Sequence, residues 1–426
     1  MKNVAIFALG TSGDVYPLIT VAKEISRKYK NSTITFLSNG HYKSLIEDSN
    51  FNFLEVSPKS LYNHCLSDPK LCTVFGVMRY TRTLHISAIE KTYYAIKSLH
   101  EENRLDFVMG TGTFNGAQWA ANDLSIQYFR AVFSPHADIL LKKIELDCNA
   151  ENKKNYVKKI GQSLRIFLSS QFYFWLLINS SVNSVRKSLG HAKWHPGSLI
   201  KEMQHTLTVA LYPNWMTKIS NNSYHKTHFF HFPLLDPVDP KGRLAADCIL
   251  ARCKGKPIVF TLGTGITNVL KHIDYANSVC RELQVDGVFV AETSNGVDKK
   301  EFKYLQFLEY VDFKYLFARS SLVVHHGGIG TAAQALAAGI PQLIRPVIFD
   351  QHDNAFRLME LGVAAALFVN QCSVDQSVRL IQYLQTSTAV TEAIRKYRFL
   401  TAETSGASLA ADFITTYPQS EIYANS

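Results

Sequence analysis

Apolar residues in this chain come in short unbroken runs separated by amphipathic stretches. Val4–Leu9, Thr33–Ser38 and Phe53–Val56 read as strands, and so do Asp106–Gly110 and Gln127–Phe133. An uninterrupted apolar run, with no in–out alternation, is what a central parallel strand covered on both faces requires. Helical patterns lie between them: one reaches Lys28, one fills much of the Tyr- and His-rich segment 61–102, and one runs through Ala121. The pattern breaks over Lys142–Lys159, which is polar and basic. It breaks again over Leu164–Val185, which is strongly apolar and aromatic but carries Ser, Gln and Asn. That second stretch is expected to form a helix or helix pair on the first sheet. The alternative is an aromatic surface that lines a cavity for an apolar molecule or rests on a membrane.

Phe230–Pro240 holds three prolines and no helical period, the composition of a connector. The alternation then restarts with a helix around Lys241–Cys253, strand Pro257–Leu262, helix Ile273–Leu283 and strand Gly287–Ala291. A short strand at Leu308–Val311 and strand Ser321–Val324 follow. The pattern predicts an α/β protein built from two doubly wound parallel-sheet, Rossmann-like domains facing each other across an inter-domain cleft. The expected divisions are residues 1–232, a linker at 233–249, a second domain at 250–400, and a C-terminal helix and tail at 401–426 returning toward the first domain. A length of 426 residues suits two domains better than one core.

Candidate chemistry gathers at strand ends. After Ser321–Val324 comes the turn His325-His326-Gly327-Gly328-Ile329-Gly330, then a helix from near Thr331 that stops at Gly339 with Pro341 beyond. A strand–glycine turn–helix leaves unpaired N–H groups at the positive end of the helix dipole, which suits a phosphate. Asp350-Gln351 follows the next strand. The first strand ends in Gly10-Thr11-Ser12-Gly13-Asp14, but Gly10 and Gly13 do not complete a dinucleotide-binding glycine triad.

Composition narrows this modestly. Apolar content of 46% and charged content of 19% describe a folded globular protein. The net charge of +10 comes from scattered Lys and Arg, which points to a solvated face and not to nucleic-acid binding. Seven cysteines without a CxxC pair argue against a disulfide framework or structural zinc and fit free thiols in a reducing cytoplasm. The opening MKNVAIFALG reads as a buried strand, not a signal peptide. No window approaches the ~20 apolar residues that span a bilayer. A cytoplasmic protein, with peripheral contact at the inner membrane face as an option, is expected.

VHHGGIGTAAQALAAGIPQL followed by DQHDNAFRLMELGV resembles the nucleotide-diphosphosugar glycosyltransferases of the UDP-glycosyltransferase-like (GT1) superfamily. PIVFTLGTG and ALGTSGDVYPLITVAKEI are similar to the bacterial branch with the rhamnolipid-type rhamnosyltransferases, itself akin to sterol and macrolide glycosyltransferases. NSVRKSLG, ALYPNWM and HFPLLD extend the likeness over nearly the whole chain. The resemblance implies a GT-B fold with an N-terminal acceptor domain and a C-terminal donor domain. It also implies inverting, metal-independent transfer with no cofactor beyond the co-substrate, a UDP- or dTDP-sugar. The partner would be an apolar small-molecule or lipid acceptor.

By the same resemblance, His326 and Thr331, with the turn of Gly327, Gly328 and Gly330, take the donor diphosphate. Thr264 lies close to the diphosphate or transferred sugar, and Asp350 and Gln351 grip sugar hydroxyls. Val311 falls near the segment whose backbone reads the base. Gln334 stands where many relatives carry Glu for the ribose, which leaves UDP and dTDP both open. Asp14 is the candidate general base, with His136 as a possible contributor; the bland alternative is that Asp14 caps a helix. His325 is read as a packed neighbour. A non-catalytic partner protein and a sugar-nucleotide epimerase are the competing functions.

Overall fold

The computed structural model describes residues 2–71, 73–112, 115–135, 179–195, 202, 205–217, 226–234, 240–263, 269–291, 299–309, 311–368, 373–402 and 405–418. Lys142–Lys159, Leu164–Ile178, His136 and Thr264 therefore lie outside the described residues. The chain forms two compact units, Met1–Phe230 with Ala407–Ser426, and His231–Gly406.

The first unit holds a seven-stranded sheet in the order β3-β2-β1-β4-β5-β6-β7. Its strands are β1 Asn3–Ala8, β2 Thr33–Asn39, β3 Asn52–Ser57, β4 Phe107–Thr111, β5 Gln127–Val132, β6 Thr208–Ala210 and β7 Thr227–Phe229. Every pairing is parallel, with Val4 opposite Ile34 on one side and Phe107 on the other. Val4 through Leu9 are buried, which is why the run shows no alternation. Val4, Ile6, Phe7 and Leu9 each contribute about 1.5–3 kcal/mol on removal from water. The helix Gly406–Thr416 belongs to this unit through Ala407–Thr416. There Phe413 packs on Phe129, His228 and Phe230, and Lys28 pairs with Asp412.

The second unit holds a six-stranded parallel sheet in the order β10-β9-β8-β11-β12-β13. These are β8 Ile258–Thr261, β9 Gly287–Val290, β10 Leu305–Leu308, β11 Leu322–His325, β12 Gln342–Ile344 and β13 Ala364–Ala366. Val259, Val288 and Val323 pack with Leu316, Phe317 and Ala335 in one core layer.

Several boundaries differ from the sequence reading. The helix expected around Lys241–Cys253 is Pro240–Leu250, with Ala246 buried in that core. Strand β10 is Leu305–Leu308, not Leu308–Val311. Asp312 accepts a hydrogen bond from the Tyr315 N–H and so starts the helix Phe313–Phe317, which leaves Val311 in the short link between strand and cap. The helix after β1 begins at Ser12 and carries Pro17 within it. The helix after β11 runs Ile329–Ala338 and ends at Gly339 in the left-handed conformation, φ 74°. The C-terminal tail is two helices, Thr388–Ala402 and Gly406–Thr416. Among the described residues, no helix is long and apolar enough to cross a membrane.

Candidate functional site

In the second unit the site is built on the ends of β11 and β12. His325 closes β11 and is 2% exposed. Its Nδ1 accepts from the Gly327 N–H at 3.1 Å, so Nε2 carries the proton and donates to Gln342 Oε1 at 3.0 Å. Burial is the main reason its pKa falls to about 3. His325 is thus a neutral structural group, the packed neighbour read from sequence.

His326 is different. Its ring lies between two glycines: a Cβ on Gly263 would come within 2.7 Å of Nε2, and one on Gly328 would come closer still. These glycines leave room for the imidazole, and desolvation lowers its pKa to about 4. Nδ1 is shut off from solvent and has no hydrogen-bond partner among the described residues. A buried orphan of this kind costs about 1–3 kcal/mol unless a ligand answers it.

Beside His326 the helix Ile329–Ala338 begins, with Gly328 at its cap. The first amide drawn into the helix is that of Ala332, which donates to the Gly328 carbonyl at 3.1 Å. The N–H groups of Ile329, Gly330 and Thr331 precede it with no acceptor among the described residues, so the dipole end and three donors are open to an anion. Thr331 is the third helical residue, not the first. The Gly327 amide is not available, since His325 uses it.

Asn354 ties this turn to the next motif, and the sequence reading did not single it out. Wholly buried, it donates to the Gly327 carbonyl at 3.0 Å and to Asp350 Oδ2 at 2.9 Å. Its place four residues after Asp350 on one helix was the available signal. Asp350 occupies the cap position of the helix Gln351–Glu360, yet its carboxylate makes no cap bond. Oδ2 is held by Asn354. Gln351 Oε1 accepts from the Val347 and Ile348 amides at 2.8 and 3.0 Å, so the oxygen closes a loop and the amide nitrogen is left for a ligand. Between them and β12, Phe349 holds a positive φ of 59°, an uncommon backbone for a bulky residue. Val311 is 4% exposed with its side chain in the core, so only its backbone can address a ligand. Gln334 lies on the helix Ile329–Ala338, half-buried.

In the first unit, Asp14 is the third residue of the helix Ser12–Lys28. Its Oδ2 accepts from the Thr11 N–H at 2.7 Å and the Thr11 hydroxyl at 3.3 Å, so it does act as a capping group. Gly10, at φ 143°, is needed there because a Cβ would land on that carboxylate. Capping occupies one oxygen and leaves the group half-buried.

A tyrosine cluster that the sequence reading missed lies near enough to Asp14 to feel its charge. Ser12 Oγ lies 3.2 Å from the Tyr42 hydroxyl, which lies 2.9 Å from that of Tyr62. Burial raises the pKa of Tyr42, Tyr62 and Tyr80, and the Asp14 charge adds to each. The richness of segment 61–102 in tyrosine was the only hint.

A family model for the C-terminal domain of erythromycin biosynthesis protein CIII-like proteins matches residues 303–404. A sterol 3-beta-glucosyltransferase of Vanderwaltozyma polyspora is 24% identical over 411 residues, covering 89% of this chain and 32% of the relative. The chain thus spans about a third of the length of that relative. Among solved structures, the glycotransferase of kitacinnamycin superposes with a TM-score of 0.69 at 14% identity, over 97% of this chain and 98% of that one. Glycosyltransferase VinC, solved in complex with dTDP, superposes with a TM-score of 0.64 at 16% identity over the whole of both chains. The two parallel-sheet domains are those of the GT-B architecture.

Proposed function

We propose that this chain, a member of the UDP-glycosyltransferase-like superfamily with the GT-B fold, is an inverting O-glycosyltransferase. It moves a hexose or 6-deoxyhexose from UDP or dTDP to a hydroxyl of an apolar small molecule or lipid. The observation that carries the reading is the pairing of the orphaned His326 Nδ1 with three unused amides at the start of the helix Ile329–Ala338. Together they supply fixed donors where negative charge accumulates on a departing nucleoside diphosphate. Charge stabilised this way needs no metal or further cofactor. The sugar falls to Asp350 and to the amide nitrogen of Gln351. Gln334 takes the ribose and the Val311 backbone takes the base. A relative crystallised with dTDP and relatives named for sterol glucosylation support this donor and acceptor class.

On the acceptor side, Asp14 removes the proton of the attacking hydroxyl as the anomeric centre inverts. Its capping bonds orient the carboxylate. Thermal-shift screening against UDP, dTDP and GDP, followed by assay of nucleotide release with sterol, polyketide and hydroxy-lipid acceptors, tests the reading. Stabilisation by UDP or dTDP and acceptor-dependent release are expected. No nucleotide raising the melting temperature would remove the donor site.

A further inference from the structure

Arg345 stands directly after β12, and its backbone N–H donates to the His325 carbonyl at 2.8 Å. This places it beside the two histidines. Its guanidinium carbon lies 3.6 Å from the centre of the Tyr275 ring, whose hydroxyl is itself fixed on Ser377 Oγ at 2.6 Å. The guanidinium makes no hydrogen bond or ion pair with a described residue, and its buried Nε is an orphan. Arg243 and Arg357 in the same unit each pair with a carboxylate, that of Asp312 and that of Asp353. The side chain is half-buried with its Nε shut off from solvent, and a guanidinium held there without a carboxylate suits an anionic ligand.

Arg345, His272, Tyr275 and His326 line one pocket. Burial, with the charge of Arg345 second, holds His272 down to about 4, so His272 contributes no competing cation at neutral pH. Arg345 and His326, each with one orphaned nitrogen, therefore line the same space.

Strand order says which part of a donor would meet them. Val311 follows β10 at one edge, His326 follows β11, and Arg345 and Asp350 follow β12 beyond it. A ligand laid across the strand ends with its base at Val311 and its sugar at Asp350 brings the phosphoryl group nearest the sugar to Arg345. We propose that Arg345 is a binding residue for the β-phosphoryl group of the nucleoside diphosphate, adding a two-pronged contact to the one from His326. The inference rests on the donor reading above. Stacking on Tyr275 holds the planar fork in one orientation, so little freedom is lost when both prongs engage.

Calorimetry on the full chain tests this with UDP, UMP, dTDP and dTMP against wild type, Arg345→Gln and Arg345→Lys. Wild type should prefer diphosphate over monophosphate. Arg345→Gln should lose about tenfold or more in diphosphate affinity while monophosphate affinity holds, and Arg345→Lys should recover part of the loss. Equal losses for mono- and diphosphate, or an unchanged ratio, overturn the assignment of Arg345 and leave the donor reading standing. Wild type binding none of the four overturns the donor reading itself. If Arg345→Gln fails to fold by circular dichroism, Arg345→Lys decides alone: it keeps the charge and loses the fork, so an unaltered ratio defeats the proposal.

Discussion

Asn354 Nδ2 donates to Asp350 Oδ2 at 2.9 Å while holding the Gly327 carbonyl at 3.0 Å, so one buried amide fixes the glycine turn to the Asp-Gln motif. The second carboxylate oxygen of Asp350 is left for a ligand. Asn354→Ala strands the Gly327 carbonyl and frees the carboxylate, which should cost about 1–3 kcal/mol in urea unfolding. Transfer should fall by more than stability alone explains, with kcat/KM for the sugar donor reduced while UDP or dTDP affinity holds. A variant with normal kcat/KM would show that Asp350 does not need this brace.

The ring of His326 occupies room that Gly263 and Gly328 leave empty. Gly328→Ala keeps the imidazole but drives a methyl into Nε2, so the ring must swing out. The variant should then weaken UDP or dTDP binding about as much as His326→Ala, on the order of tenfold for one lost charge-assisted bond. Calorimetry reads both. Gly328→Ala binding like wild type, with His326→Ala impaired, would mean that ring placement is loose and only the group matters.

These dependencies show what the sequence could and could not reveal. β1, β8 and β11 were legible because burial on both faces forces unbroken apolar runs, and Gly339 with Pro341 marked a helix end that the left-handed backbone at Gly339 bears out. The segment 305–317 misled, since LQFLEYVDFKYLF carries apolar residues at spacings that suit a strand or a helix; the Asp312 cap divides it. The tyrosines at 42, 62 and 80 are far apart in sequence and come near Asp14 only through folding. Arg345 looked like any cation after a strand until its missing partner was seen, and nothing in the letter Gln351 announced that its oxygen closes a loop.

Asp14 carries two tasks, and a conservative change separates them. Asparagine keeps an oxygen for the Thr11 N–H, so Asp14→Asn should fold with a melting temperature near wild type. It cannot take a proton, so kcat should drop by about 10²–10⁴ with donor affinity unchanged. Turnover close to wild type would return Asp14 to a purely capping role and turn attention to His136.

Acid stability follows from the histidines kept neutral. His325 titrates near 6.5 when unfolded but at about 3 when folded, chiefly through burial. The unfolded chain therefore takes up the proton first. Stability is intact above pH 6.5, falls as pH drops toward 3, and is flat below. By about pH 5, His325 alone should remove roughly 2 kcal/mol. His272 and His326, both lowered to about 4, add their own protons to the slope over the same range. Urea unfolding at about pH 7, 6 and 5 measures it, with His325→Gln expected to flatten the slope by one proton. Parallel curves for wild type and variant would show that His325 titrates alike in the folded and unfolded chain, in conflict with its burial and its bonds to Gly327 and Gln342.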